Sequence, residues 1–136
     1  MMRVVGVLML MAVLAIVAGV ILWGPDGCTV EGAKLARVAT DDEVLANAIG
    51  TYTINAGRPP STEQGLLALA KEPVSGPKPR RWAQVMKKVP TDPWGNPYGY
   101  RVLTEGTGNW SFELSSAGKD GIGGTEDDWA KVIDWR

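Results

Sequence analysis

The sequence predicts an α+β protein in which one long amphipathic helix packs on a small antiparallel sheet near the C-terminus. Apolar residues recur at helical spacing between residues 30 and 54, which favours a helix with one buried face. Three short β-prone segments come only after residue 97, so helix and strands are separated along the chain instead of alternating. That separation favours a helix layered on an antiparallel sheet over a parallel α/β arrangement.

The N-terminal part of the chain is apolar and predicts a membrane anchor. Val4 to Trp23 contains no charged residue and is long enough to cross a bilayer core of roughly 30 Å as a helix. The alternative is a cleaved secretory signal, whose apolar core is shorter and is followed by small residues. Because this segment ends in Trp23, which favours the membrane interface, we expect residues 1–29 to be an anchor and linker and residues 30–136 to form the folded domain.

Charges on either side of the apolar segment predict its orientation. Arg3 precedes the segment, whereas Asp26 and Glu31 follow it. Since positively charged flanks tend to remain in the cytoplasm, we expect the N-terminus to be cytoplasmic and the folded domain to lie across the membrane from it.

The composition argues against several classes of function. Lys and Arg number 14 against 15 Asp and Glu, a net charge of −1, so the chain lacks the basic surface typical of nucleic-acid binding. It contains no His, the usual general base and a common metal ligand. Cys28 is the one cysteine, so no intrachain disulfide can form. We therefore expect neither a nucleic-acid partner nor a catalytic site.

The long helix is predicted over Val30 to Ile54. We expect its acidic cluster, Asp41 to Glu43, on the solvent side, and its end near Gly57, because glycine is favoured just after a helix. The residues expected on the buried face recur at spacings of three, four or seven: Leu35, Val38, Leu45, Ala48, Ile49 and Tyr52.

The segment after the long helix predicts further short helices. Ser61 and Gln64 have the spacing of a capping box, which would open a short helix that ends near Ala70. Trp82 to Lys88 predicts one or two additional helical turns.

A turn and three strands complete the prediction. Pro90 to Pro97, PTDPWGNP, has the composition of a structural turn, in which we expect Trp94 to plug the core. The strands are predicted over Tyr98 to Leu103, Trp110 to Leu114 and Lys131 to Trp135, the first two as a hairpin.

A loop near the C-terminus, DGIGGTEDD (Asp120 to Asp128), combines four acidic residues with three glycines. A bound cation would relieve the repulsion among its charges. Calcium takes about six to eight oxygen ligands from carboxylates and carbonyls in flexible loops, and Asp120, Asp127 and Asp128 supply carboxylates at both ends of the glycine-rich segment. The spacing differs from that of an EF-hand. The alternative is an acidic turn that binds no ion, because Gly-Asp turns are common.

Three segments of the chain resemble, in order and spacing, the major pseudopilins of type II secretion systems (general secretion pathway protein G). YTINAGRPPSTEQGLLAL (Tyr52 to Leu69) is similar to the segment after their long helix, and PTDPWGNPYGY (Pro90 to Tyr100) to their central turn. SSAGKDGIGGTEDD (Ser115 to Asp128) is similar to their C-terminal calcium loop, and Trp135 to a late Trp of the family. The resemblance covers residues 33–136 and implies a pilin-like fold, in which the first half of the long helix spans the membrane.

The resemblance also implies how the loop would bind Ca²⁺. The implied ligands are three carboxylates and two backbone carbonyls: Asp120, Asp127, Asp128, Ala117 and Lys119. Glu126 remains an alternative to Asp127, because a one-residue shift would exchange the two. The chain departs from the family pattern at Trp129, which is larger than the residue expected after the acidic pair.

By the same resemblance, the chain is expected to be a structural subunit of a type II secretion pseudopilus, which supports export of folded proteins across the outer membrane. The expected partners are further copies of the chain in a filament, other pseudopilins and the inner-membrane secretion machinery. The expected location is the bacterial inner membrane, crossed once, with the C-terminal domain in the periplasm. The alternatives are a membrane-tethered pilin-like binding module that does not polymerise, and a type IV pilin-like subunit of another machinery.

The N-terminus departs from the family pattern. Family members carry a short basic leader that ends in Gly, followed by Phe and, four residues later, by a Glu that helps to dock a new subunit into the filament. In an ungapped alignment through Ala33 and Lys34, the Phe position falls on Arg3 and the Glu position on Val7. The resemblance therefore leaves open whether a prepilin peptidase processes the chain and whether it polymerises.

Overall fold

The computed structural model describes residues 30–105 and 109–135. The predicted anchor and linker, residues 1–29, lie outside this part of the chain. Within the described ranges, no helix is both long enough and apolar enough to cross a membrane. One compact unit spans Lys34–Arg136 and holds the sheet and nearly all of the long helix.

The long helix, α1, spans Val30–Ala56, which confirms the predicted helix and extends it by two residues. It ends where Gly57 takes a positive φ of 81°, a conformation that suits glycine because it has no Cβ. The amide of Gly57 donates to the carbonyl of Thr53 at 2.8 Å and closes the last turn.

One face of α1 is buried, and it differs from the prediction in two places. The predicted residues other than Leu35 are buried, together with Ala56. Leu35 is 51% exposed, because the buried face begins later in the helix, at Val38. Asp42, predicted on the solvent side, is 0% exposed. It lies four residues after Val38 and three before Leu45, so helical geometry places it on the same face as both.

Three antiparallel strands form one sheet in the order β1-β2-β3. The predicted strands and the hairpin of the first two are confirmed, and the structure adds the pairing of β3 with β2. The strands span Gly99–Glu105 (β1), Trp110–Ser116 (β2) and Trp129–Trp135 (β3). Alternate residues of β2 are buried, since side chains alternate between the two faces of a sheet. Phe112 and Leu114 join the buried face of α1 in one core, and the predicted layer of one helix on a small sheet is confirmed.

Strand β3 lies along α1. The indole ring of Trp135 lies so close to Gly50 that a Cβ at this position would overlap it. Further along the interface, Ile133 lines a cleft together with Ala46 of α1. The absence of a side chain at Gly50 therefore lets the last strand approach the helix closely.

The connection from α1 to β1 begins with the predicted capping box. The Ser61 hydroxyl accepts from the Gln64 amide at 3.2 Å, and the Gln64 side chain accepts from the Ser61 amide at 3.1 Å. The box opens a turn and then the predicted short helix, which is a 3-10 helix over Leu66–Leu69.

No helix forms over residues 82–88, and that prediction is wrong. The amides of Val85 and Met86 donate to the carbonyl of Leu69, at 2.9 and 3.0 Å, so they are not available for helical hydrogen bonds. The indole Nε1 of Trp82 donates to the carbonyl of Ala68 at 2.9 Å, which holds this extended segment against the 3-10 helix.

Candidate metal centre

The connection between β2 and β3, residues 117–128, is folded back on itself by glycines. Gly118, Gly121 and Gly124 have positive φ angles of 60°, 70° and 95°, which favour glycine over residues with a side chain. At Gly118 a side chain would also overlap the carbonyl and the carboxylate of Asp127. The two ends of the loop therefore lie in contact.

Asp120, Asp127 and Asp128 meet in this loop. One carboxylate oxygen from each lies within 4.8 Å of the others. Carboxylates are the hard, anionic oxygen donors that Ca²⁺ prefers, and an exposed loop leaves space for its further oxygen ligands. The donor set thus fits the ion that the sequence resemblance implies. Glu126, the alternative to Asp127, is not part of this cluster.

Hydrogen bonds hold the Asp127 carboxylate in place. Its Oδ2 accepts from the amides of Lys119 and Asp120, at 2.7 and 3.1 Å, and its Oδ1 accepts from the Thr125 hydroxyl at 2.8 Å. The bond from Thr125, followed by those from the two amides, holds the pKa of Asp127 below its ordinary value. Asp127 is therefore an anion at neutral pH, the form that a metal ion needs.

Thr125 is a member of the cluster that the sequence analysis missed. Its Oγ1 lies 2.8 Å from Asp127 and 3.4 Å from a carboxylate oxygen of both Asp120 and Asp128. A hydroxyl carries one proton, so it donates fully to one carboxylate at a time. The sequence signal was a hydroxyl residue directly before the acidic triplet, which is too common a pattern to single out.

The two backbone carbonyls implied as ligands belong to residues beside the cluster. The carbonyl of Ala117 accepts from the Gly121 amide at 3.1 Å, and a carbonyl oxygen has a second lone pair for a cation. Lys119 is tied to the cluster through its amide, which donates to Asp127 at 2.7 Å. Both residues are compatible with the implied roles.

Asp92, in the turn that precedes β1, is linked to the loop by hydrogen bonds. Its Oδ1 accepts from the amides of Trp94 and Asn96, at 3.0 and 2.7 Å. Its Oδ2 accepts from the Ser116 hydroxyl at 2.7 Å and from the Asn96 side chain at 3.3 Å. The same Asn96 amide group donates to the carbonyl of Gly118 at 2.8 Å. The turn and the acidic loop are therefore joined by one hydrogen-bond network.

The network also fixes the charge of Asp92, which the sequence analysis treated as an ordinary turn residue. Burial by itself would raise the pKa of this 2% exposed carboxyl group. The hydrogen bonds from Ser116, Asn96 and Trp94 outweigh burial, and the pKa lies below its ordinary value. Sequence pattern could not reveal this role, because the partners lie up to 24 residues away along the chain.

Known proteins resemble the chain in sequence and in fold. The family model for protein G of the type II secretion system (T2SS) matches residues 28–135. Two relatives named type II secretion system core protein G are similar: that of Pseudomonas aeruginosa is 41% identical over 105 residues (76% of this chain, 72% of the relative), and that of Aeromonas hydrophila is 36% identical over 124 residues (90% and 84%).

A solved structure supports the same relationship. The crystal structure of the major pseudopilin from the type 2 secretion system of enterohaemorrhagic Escherichia coli superimposes with a TM-score of 0.63 at 33% identity, over 74% of this chain and 88% of the pseudopilin. The resemblance seen in three sequence segments thus extends over most of the chain and over its helix-on-sheet fold. The chain belongs to the type II secretion system protein G family.

Proposed function

We propose that the chain is a structural subunit of the type II secretion pseudopilus and supports the export of folded proteins across the outer membrane. The observation that carries the proposal is the family match over residues 28–135, together with the fold of a major pseudopilin. Its partners are further copies of itself, other pseudopilins and the inner-membrane secretion machinery. The role is mechanical, which fits a chain without His, the usual general base.

The subunit is held in the inner membrane by residues 1–29, and its domain, residues 30–136, lies in the periplasm. The uncharged segment from Val4 to Trp23 supports the single span, because its length matches the bilayer core. Arg3 before the span and acidic residues after it support the orientation.

One calcium ion completes the domain. Asp120, Asp127 and Asp128 hold it with the backbone carbonyls of Ala117 and Lys119. The meeting of three carboxylates within 4.8 Å supports this assignment, as does the fixed orientation of Asp127. The ion would offset the repulsion among these charges and contribute to folding free energy, since an unfolded loop offers no assembled site.

Deletion of the gene tests the secretory role. We expect the deletion strain to retain in its periplasm the folded proteins that the wild type releases. Re-expression of the chain should restore their release, whereas re-expression of a version that lacks residues 1–29 should not. Undiminished release of every exported protein from the deletion strain would contradict the proposal.

Thermal unfolding of the full chain in detergent micelles tests the metal site. We expect calcium to raise the melting temperature of the wild type relative to chelator, because a ligand that binds only the folded form stabilises it by about 2.7 kcal/mol at a hundredfold excess over Kd. Asp127→Ala should abolish this response, and the neighbouring Glu126→Ala should retain it. A wild type that does not respond to calcium would refute the metal site and leave the family assignment intact.

The position of Val7 favours a second candidate, a membrane-tethered module of the same fold that does not polymerise. Val7 lacks the carboxylate that docks incoming subunits in the family pattern described above. Single cysteines introduced along residues 4–23, in a Cys28→Ser background, separate the two candidates. A ladder of cross-linked oligomers in the membrane supports a filament subunit, whereas monomers and dimers alone support the tethered module.

A further inference from the structure

Asp42 lies on the buried face of α1, where both of its carboxylate oxygens are shielded from solvent. Its neighbours on that face, Val38 and Leu45, are apolar and equally buried. Within residues 30–105 and 109–135, no hydrogen-bond donor reaches either oxygen. Burial of a carboxyl group without a hydrogen bond is unfavourable, and burial of the ionised form is far more so. The surroundings within the core therefore favour the protonated acid.

The other acidic groups near Asp42 also oppose its ionisation. Asp41 accepts from the Tyr98 hydroxyl at 2.9 Å and lies 3.4 Å from Arg37, and Glu43 is exposed on the next position of the helix. Tyr98 remains neutral, because burial and the bond to Asp41 raise its pKa. Burial, with smaller contributions from Asp41 and Glu43, raises the pKa of Asp42 to about 6.

Among the described residues, Lys131 of β3 acts in the opposite direction and lowers the pKa of Asp42. In the sheet it pairs with Leu114 and lies on the same face of β3 as Ile133 and Trp135, which lie against α1. Its side chain is exposed. Between α1 and β3 is a cleft of about 310 Å³ lined by Glu43, Ala46, Asn47, Lys131 and Ile133. The cleft gives the lysine side chain room to move towards the helix.

We propose that Asp42 and Lys131 form a proton-controlled contact between α1 and β3. While Asp42 carries its proton, the ammonium group of Lys131 remains in solvent. When Asp42 releases that proton to water, the ammonium group moves out of the cleft towards α1 and pairs with the new carboxylate, because an unpaired buried charge is strongly unfavourable. The helix and the last strand are then joined by an ion pair near neutral pH and by apolar contacts alone in mild acid.

Carbon-13 NMR of the aspartate carboxyl groups in the full chain, in detergent micelles with chelator, tests the contact. We expect Asp42 to titrate with a midpoint near 6. Lys131→Met should raise that midpoint by about half a pKa unit or more, because it removes the nearby positive charge. Lys71→Met removes an exposed lysine of another segment and should leave the midpoint unchanged.

A second readout follows the lysine itself. As the pH rises through the midpoint, cross-relaxation should appear between the Lys131 side-chain end and the methyl groups of Val38 or Leu45, and Asp42→Asn should abolish it. A midpoint near the ordinary aspartate value of 3.8 would overturn the proposal. An unchanged midpoint in Lys131→Met, or a lysine that stays in solvent at pH 8, would overturn it as well.

Discussion

Asp92 and Asp42 are buried to nearly the same degree, at 2% and 0% exposure, yet their surroundings favour opposite charge states. Asp92 accepts four hydrogen bonds, and its pKa lies below the ordinary value although burial alone would raise it. Asp42 accepts none from the described residues, and burial raises its pKa to about 6. Hydrogen-bond donors, more than depth of burial, therefore decide whether a buried carboxylate stabilises a fold.

The backbone explains where those donors come from. Asp92 lies in an irregular turn, where the amides of Trp94 and Asn96 point towards its carboxylate instead of into a regular ladder. Asp42 lies in the middle of α1, where each backbone amide is used by a carbonyl four residues earlier. A helix interior therefore offers a buried carboxylate no main-chain donor, and a turn does.

Removal of the Asp92 carboxylate should have the largest effect. Asp92→Ala leaves the Ser116 hydroxyl, the Asn96 amide group and two backbone amides without their acceptor, and we expect a loss of about 4 kcal/mol in the free energy of unfolding. Urea unfolding of the full chain in micelles measures it. Asp134→Ala removes an exposed aspartate from β3 and serves as the matched control, with an expected change within about 0.5 kcal/mol. An equally small loss in Asp92→Ala would show that the hydrogen bonds to Asp92 do not stabilise the fold.

Removal of the Asp42 carboxylate should raise the free energy of unfolding instead of lowering it. Because the pKa of Asp42 rises from 3.8 to about 6 on folding, the ionised group costs about 3 kcal/mol of stability above pH 6. We expect Asp42→Leu to raise the free energy of unfolding by about that amount at pH 8, and by roughly half as much at pH 5. A variant that is less stable than the wild type at pH 8 would show that the ion pair with Lys131 outweighs the cost of burying the carboxylate.

The free energy of unfolding of the wild type should depend on pH through both carboxyl groups, in opposite directions. A raised folded pKa means that folded Asp42 binds its proton more tightly, so the penalty of its charge is removed as the pH falls from 8 towards 4. A lowered folded pKa means that the contribution of Asp92 is present above 3.8 and is lost as the pH falls through its folded value.

Stability in chelator should therefore rise by about 1.5 kcal/mol from pH 8 to pH 5 and decline below about pH 4. Urea midpoints across this range measure the profile. Asp42→Leu should flatten the limb between pH 5 and pH 8, and a rise that persists unchanged in this variant would assign it to another group.

Loss of a single donor should have the smallest effect of the series. Asn96→Ala removes one bond to Asp92 and one to the Gly118 carbonyl, and we expect a loss of about 1 kcal/mol. Gln84→Ala is the control, because that exposed amide also donates to a backbone carbonyl, Ala70, at 3.2 Å. If the control loses as much stability as Asn96→Ala, the two bonds of Asn96 contribute no more than one exposed bond to a backbone carbonyl.

The elements with strong local patterns were predictable from sequence. Helix α1 and the three strands follow from periodicity, and the end of α1 follows from Gly57. The failures arose where tertiary contacts override local preference. In residues 82–88, two backbone amides donate to the Leu69 carbonyl instead of forming helical hydrogen bonds. A pattern of neighbouring residues cannot predict a partner so distant along the chain.

One part of the candidate metal site was likewise predictable from sequence, and another part was not. The acidic loop is visible in sequence, because its carboxylates and glycines are close together along the chain. Its support through Asn96 and Asp92 is not visible, because the turn and the loop meet only in the folded protein. Asp42 was assigned to solvent because it is charged, although its spacing from Val38 and Leu45 placed it on the buried face.

The contact between Trp135 and Gly50 has a consequence for biosynthesis. It joins β3 to the middle of α1, so this part of the helix–sheet interface closes only after the residues of β3 have left the ribosome. Contacts between such distant residues form late and slowly, and until then the surface of α1 around Gly50 lacks the cover of Trp135. A subunit that is cut short before β3 therefore lacks this contact and exposes part of α1 to proteases.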